Sequence, residues 1–131
     1  MNLLRSGVVE PVAGLWTSGP LHPDVESVAQ GSFLKREPPA IRGRGYAPAA
    51  LEAALWALAR TSTFRDAVLA AVNLGEDADT TGAICGQLAG AIYGEDAIPL
   101  HWRERLAMRE RIEHLADSLL ELSRASGRTD E

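Results

Sequence analysis

The segment Asn73-Leu74-Gly75-Glu76-Asp77-Ala78-Asp79-Thr80-Thr81-Gly82-Ala83 gathers three carboxylates and two hydroxyls between two helix-like stretches. Asp77 and Asp79 are separated by one small residue, so a tight loop lets both aim their oxygens at one point. Thr80 or Thr81 adds a neutral oxygen. Hard oxygen donors of this kind suit Mg²⁺, Mn²⁺ or Ca²⁺ rather than zinc. The plainer alternative is that Asp79 or Thr80 only caps the following helix, a contribution of ~1 kcal/mol. An EF-hand would place Asp77, Asp79, Thr81 and Gly82 at its first, third, fifth and sixth loop positions. Its twelfth position requires a bidentate Glu and holds Leu88, which excludes it.

The elements that must position these groups are helical. After the acidic segment, Gly82, Gly86, Gly90 and Gly94 recur every four residues, the first three on one face of a helix expected from near Thr80 to Tyr93. Each interior glycine costs ~1 kcal/mol relative to alanine. Such a cost is tolerated where another backbone or a ligand approaches closely. Tight helix packing accounts for Gly86 and Gly90, and beside the acidic loop it describes a rigid helix that fixes metal ligands. Ahead of the loop, Ala49–Arg60 carries Leu51, Leu55, Trp56 and Leu58 among alanines and reads as a core helix. Thr63 with Asp66 resembles a capping box that opens a helix through Phe64, Val68, Leu69 and Val72, which Gly75 ends. Pro99 introduces a fourth helix from about Leu100 to Leu122, with Met108, Ile112, Leu115, Leu119 and Leu122 at amphipathic spacing. Before Ala49 proline and glycine interrupt the chain, and only Pro23–Lys35 reads as helix. Strand-period alternation and internal repeats are lacking, so the expected class is all-α.

Composition sets the bounds. The chain has 131 residues and a formal charge of −5, with 13 Lys and Arg against 18 Asp and Glu. That length suits one ordinary domain, and 46% apolar content is enough for a core. Mild acidity argues against a nucleic-acid partner, which needs concentrated Lys and Arg. The single cysteine, Cys85, rules out an internal disulfide framework and a multi-cysteine zinc site, and its mid-helix place suits a small buried apolar role. Apolar runs fall short of the ~18–20 residues a membrane helix needs. Arg5 and a broken apolar stretch do not make a signal peptide, so a cytoplasmic location is expected. His22, His101 and His114 share no metal spacing. The alternating charges of Arg103, Glu104, Arg105, Arg109, Glu110 and Arg111 describe a solvated helix face. A Gly-x-Ser-x-Gly elbow is missing, which leaves serine-hydrolase chemistry without support.

Taken in order, the motifs resemble the C-terminal signature of the ADP-ribosylglycohydrolase family. Asn73-Leu74-Gly75, then Asp77-x-Asp79-Thr80 and Gly82-Ala83-Ile84 on a glycine-spaced helix, follow the family pattern. Gly43-Arg44-Gly45-Tyr46 looks like the family's Gly-x-Gly-Tyr loop, and Leu51-Glu52-Ala53-Ala54-Leu55-Trp56 like the helix after it. Ile98-Pro99, Trp102 and the closing helix extend the similarity to roughly residues 20–122.

The resemblance implies a helical, metal-dependent hydrolase that cleaves ADP-ribose from a protein side chain or a small acceptor using two Mg²⁺ or Mn²⁺ ions. By that correspondence Asp77, Asp79 and Thr80 are metal ligands, Asp77 and Asp79 serve the catalytic centre, and Gly43, Gly45 and Tyr46 line the ADP-ribose cleft. With the proline and glycine punctuation before Ala49, the expected organisation is a proline- and glycine-rich loop segment with one short helix over 1–40, the C-terminal helical part of the family-like domain over 41–122, and a polar tail over 123–131. The family's N-terminal Gly-Asp and Thr-Asp-Asp-Thr motifs have no counterpart here, since the sequence contains no Asp-Asp pair. The expectation is therefore a C-terminal portion that needs an N-terminal half as partner for hydrolysis. The competing expectation is a non-catalytic remnant of the same fold that binds ADP-ribose or another protein.

Overall fold

The computed structural model describes residues 19–126. The Gly7, Pro11 and Gly14 punctuation and the end of the polar tail, 127–131, lie outside the described residues. Seven α-helices and one 3₁₀ turn make up the described residues, with no strand among them, so the fold is all-α as expected. The chain divides into two compact units, Met1–Ile98 and Pro99–Glu131.

In the first unit, α1 (Pro23–Ala29) and α2 (Ser32–Lys35) replace the single helix expected over 23–35. Gly31 sits between them at φ +86°, a left-handed conformation that glycine adopts without penalty and that ends one helix while starting the next. His22 caps α1 by accepting the Asp24 amide at 3.3 Å. Helix α3 (Ala47–Ala59) follows, then α4 (Phe64–Val72), whose Thr63 cap accepts the Asp66 amide at 3.1 Å as the capping box requires. Helix α5 (Ala78–Tyr93) comes next, closed by Gly94 at φ +82° and succeeded by the 3₁₀ turn Glu95–Ala97.

The core is built largely of alanines. Ala50, Ala53, Ala54 and Ala57 of α3, Ala67 and Ala71 of α4, and Cys85 and Ala89 of α5 are all buried, where α3, α4 and α5 meet. Small side chains let the helix backbones approach closely, while Val28, Phe33, Leu58 and Phe64 supply bulk at the edges. Glycine packing differs from the expectation. A Cβ on Gly82 would lie 2.7 Å from Val72 Cγ1, so this glycine permits the close approach of α5 to α4. Gly86 and Gly90 have open space where a Cβ would stand, because Thr81, Cys85 and Ala89 form the buried stripe instead.

The second unit corrects the fourth helix. Two helices, α6 (Leu100–Glu104) and α7 (Arg109–Ser126), stand where one was expected over 100–122. The break falls at Met108, whose φ of +56° cannot continue a right-handed helix; its carbonyl then accepts Ile112 N–H to begin α7. Helix α7 runs past Leu122 into the tail, and Ile112, Leu115, Leu119 and Leu122 are exposed along it. None of the described helices is long and apolar enough to cross a membrane.

Candidate metal centre

The acidic turn is built by a change of backbone hand. Helix α4 closes with the Leu74 and Gly75 amides donating to the Ala71 and Val72 carbonyls. Gly75 and Glu76 then adopt φ of +76° and +55°, two successive left-handed residues that reverse the chain. Asp77 is the N-cap of α5, which begins at Ala78, two residues earlier than the expected start near Thr80. Asp79 and Thr80 consequently stand in the first helical turn, both exposed, with Asp77 half-buried before them.

Capping alone does not explain these groups. Asp77 holds the cap position, yet its side chain makes no capping hydrogen bond. The Asp79 carboxyl is held below its ordinary range, first by a hydrogen bond with the Asp77 side chain and then by the Thr80 and Asp79 backbone N–H groups. Two carboxyl groups therefore meet at an exposed helix N-terminus, whose dipole favours negative charge. Thr80 lies beside them, whereas Thr81 is fully buried and donates its hydroxyl to the Asp77 carbonyl at 2.9 Å. Of the two threonines offering a neutral oxygen, only Thr80 is left at the surface.

The glycine loop meets the same turn. Asp77 N–H donates to the Gly43 carbonyl at 2.6 Å. Gly43 is buried, and a Cβ there would lie 2.7 Å from Thr81 Oγ1 and 3.1 Å from the Gly75 carbonyl. Gly45 is exposed, and a Cβ on it would come 3.3 Å from Asp77 Oδ2. On the outer side Arg42 and Arg44 each reach Glu76 at 3.6 Å. Apart from the opposite charges, nothing in the local sequence points to this pairing.

Tyr46 takes a different course. It is the N-cap of α3, and its phenol donates to Asp24 Oδ2 at 2.6 Å, tying the loop to α1. That bond, with burial second, raises the phenol above its ordinary value. Tyr46 lines a hollow of ≈ 190 Å³ with Asp24, Arg36 and Glu52.

The donor chemistry fits a divalent cation on one side. Asp77, Asp79 and Thr80 offer hard oxygens from a single turn. Among the described residues no three Asp, Glu, His or Cys side chains gather to hold an ion by themselves. These residues can form an edge of a coordination shell, and oxygens from elsewhere must close it.

The chain is similar to several known proteins. The chain is 44% identical over 100 residues to an ADP-ribosylarginine hydrolase of Serratia proteamaculans, covering 76% of this chain and 27% of that protein. It is 48% identical over 65 residues to an ADP-ribosyl-[dinitrogen reductase] glycohydrolase of Rhodospirillum rubrum, covering 48% of this chain and 22% of that protein. A solved structure described as an ADP-ribosylglycohydrolase-related protein complex superposes with a TM-score of 0.68 at 53% identity, over 73% of this chain and 33% of that one. The chain thus spans about a quarter of the length of the curated relatives it matches. Residues 6–129 match the ADP-ribosylglycohydrolase family, and the chain belongs to that family.

Proposed function

We propose that Asp77, Asp79 and Thr80 form one edge of a Mg²⁺ or Mn²⁺ centre, two ions when complete, that removes ADP-ribose from a modified side chain. The observation that carries this reading is the Asp77 carboxylate, which makes no capping hydrogen bond, meets Asp79 and lies 3.3 Å from where a Gly45 Cβ would stand. When bound, a divalent ion supplies charge that orients the ribose and polarises the bond or the water to be used. The chain's own residues have separable tasks. Asp79 stays ionised to lower pH than an ordinary carboxylate and is ready to accept a cation. Gly45 leaves unfilled the position 3.3 Å from Asp77 Oδ2 that a Cβ would take, and its exposed backbone would take a substrate phosphate. Gly43 serves from beneath, by letting the loop pack on the turn.

The relatives' names make ADP-ribosyl-arginine the first substrate to try. The general base and the remaining metal ligands come from protein outside this turn, an N-terminal half in the family arrangement. A second reading, ADP-ribose binding without hydrolysis, is favoured because no three Asp, Glu, His or Cys side chains among the described residues gather to hold an ion. Calorimetric titration with ADP-ribose in Mg²⁺, paired with chromatography of an ADP-ribosylarginine peptide, separates the two. Metal-dependent release of ADP-ribose supports hydrolysis, binding without release supports the second reading, and neither binding nor release contradicts both.

A further inference from the structure

We infer that Thr81, which has no place among the metal-facing donors, is the positioning residue that sets the Asp77 carboxylate, working through the Asp77 backbone with Gly43 as its counterpart. The inference rests on the metal-facing role proposed above. Ile41, Thr81 and Cys85 are the largest fully buried side chains described, and Thr81 alone of them carries a hydroxyl. Buried hydroxyls need a partner. The Asp77 carbonyl provides one, accepting Thr81 Oγ1 at 2.9 Å and the Thr81 N–H at 3.1 Å. From the other side Gly43 accepts the Asp77 N–H at 2.6 Å. Both backbone polar groups of Asp77 are thereby gripped, by two different elements.

Those elements are also in register with one another. Thr81 Oγ1 lies 2.7 Å from the position of a Gly43 Cβ, so the hydroxyl and the glycine occupy one shared slot. Asp77 itself has φ −94° and ψ 62°, a conformation between the helical and extended regions. Neither helix nor loop propensity selects that conformation, and the two-sided grip does. With the backbone fixed, the short Asp77 side chain projects beside Asp79 and under Gly45 without help from a cap bond. A threonine that returns a hydrogen bond to the carbonyl four residues earlier is common in helices. Here that carbonyl belongs to the N-cap residue bearing the metal-facing carboxylate, so the bond reaches the site.

The test is a Mn²⁺ titration of the ¹⁵N-labelled full chain, reading paramagnetic broadening at the Asp77, Asp79 and Thr80 amides. Thr81→Val keeps the shape and removes the hydroxyl; it should weaken Mn²⁺ binding ~10-fold, in the range found for residues that orient a ligand from behind. Thr81→Ser restores the hydroxyl and should restore the affinity. Wild-type affinity in Thr81→Val overturns the inference, as does a Thr81→Ser variant as weak as Thr81→Val, which would assign the effect to the lost methyl. Should Thr81→Val not fold, Gly43→Ala presses a methyl on the same hydroxyl; weakened Mn²⁺ binding is expected, and unchanged binding overturns the inference. A wild-type chain with no broadening at these amides in millimolar Mn²⁺ defeats the metal reading itself, a result distinct from equal binding by wild type and variant.

Discussion

The Asp77 amide donates to the Gly43 carbonyl across 2.6 Å, and this bond joins two motifs that lie more than thirty residues apart in the chain. A Cβ on Gly45 would come 3.3 Å from Asp77 Oδ2, and one on Gly43 would come 2.7 Å from Thr81 Oγ1.

The first prediction contrasts glycines on one helix. Gly82→Ala drives a methyl to 2.7 Å from Val72 Cγ1 and should destabilise the fold by ~1–3 kcal/mol. Gly86→Ala meets open space within α5 and should stabilise by ~0.5–1 kcal/mol. Urea unfolding followed by circular dichroism measures both, and the two changes should have opposite sign.

The periodicity of these glycines was legible in the sequence, but their tasks were not. Spacing by four shows that Gly82, Gly86 and Gly90 share a face, while only the placement of α4 shows that Val72 crowds the first of them. The same division holds elsewhere. The acidic turn, its Asp-x-Asp-Thr order and the helices on either side follow from local chemistry. Gly31 and Met108, which break expected helices by turning left-handed, do not, since a methionine at φ +56° has no composition signal. Thr81 looked equal to Thr80 as an oxygen donor, and burial under Gly43 is a tertiary fact that separates them.

Glu52 gives the second prediction. It is buried in α3, accepts the Ser32 hydroxyl and faces Arg36 Nη1 at 3.4 Å from each carboxylate oxygen. Glu52→Ala leaves the Ser32 hydroxyl without its acceptor and loosens α2 from α3. A loss of ~1–3 kcal/mol is expected, with hydrogen exchange rising first at Phe33 and Leu34 amides. Unchanged exchange there would contradict the role.

Cys85 gives a pH prediction. Burial pushes its thiol up to about 11 from 9.0. The neutral thiol is thus favoured by folding, so its contribution is complete below pH 9 and is lost as pH rises through 11. Denaturant midpoints should fall across that window, and Cys85→Ala should flatten the fall. At neutral pH a thiol reagent should label Cys85 only after unfolding.

Glu37 predicts the opposite slope. It accepts Trp56 Nε1–H at 3.0 Å and Arg60 Nε–H at 2.8 Å, and the Arg60 bond, followed by the Trp56 bond, lowers its carboxyl below the ordinary 4.5. Its contribution is present above the unfolded value and is lost as pH falls through the lowered one. The Trp56 indole N–H resonance should shift in that acidic range, and Glu37→Gln should move the transition or abolish it.

The central claim is that Asp77 and Asp79 together receive a divalent cation. Electron paramagnetic resonance of Mn²⁺ titrated into the full chain tests it most directly, with Asp77→Asn, Asp79→Asn and the distant Asp66→Asn variant. The account predicts saturable binding in wild type and in Asp66→Asn, and its loss in both variants of the acidic turn. Binding that survives unchanged in Asp77→Asn and Asp79→Asn would contradict it.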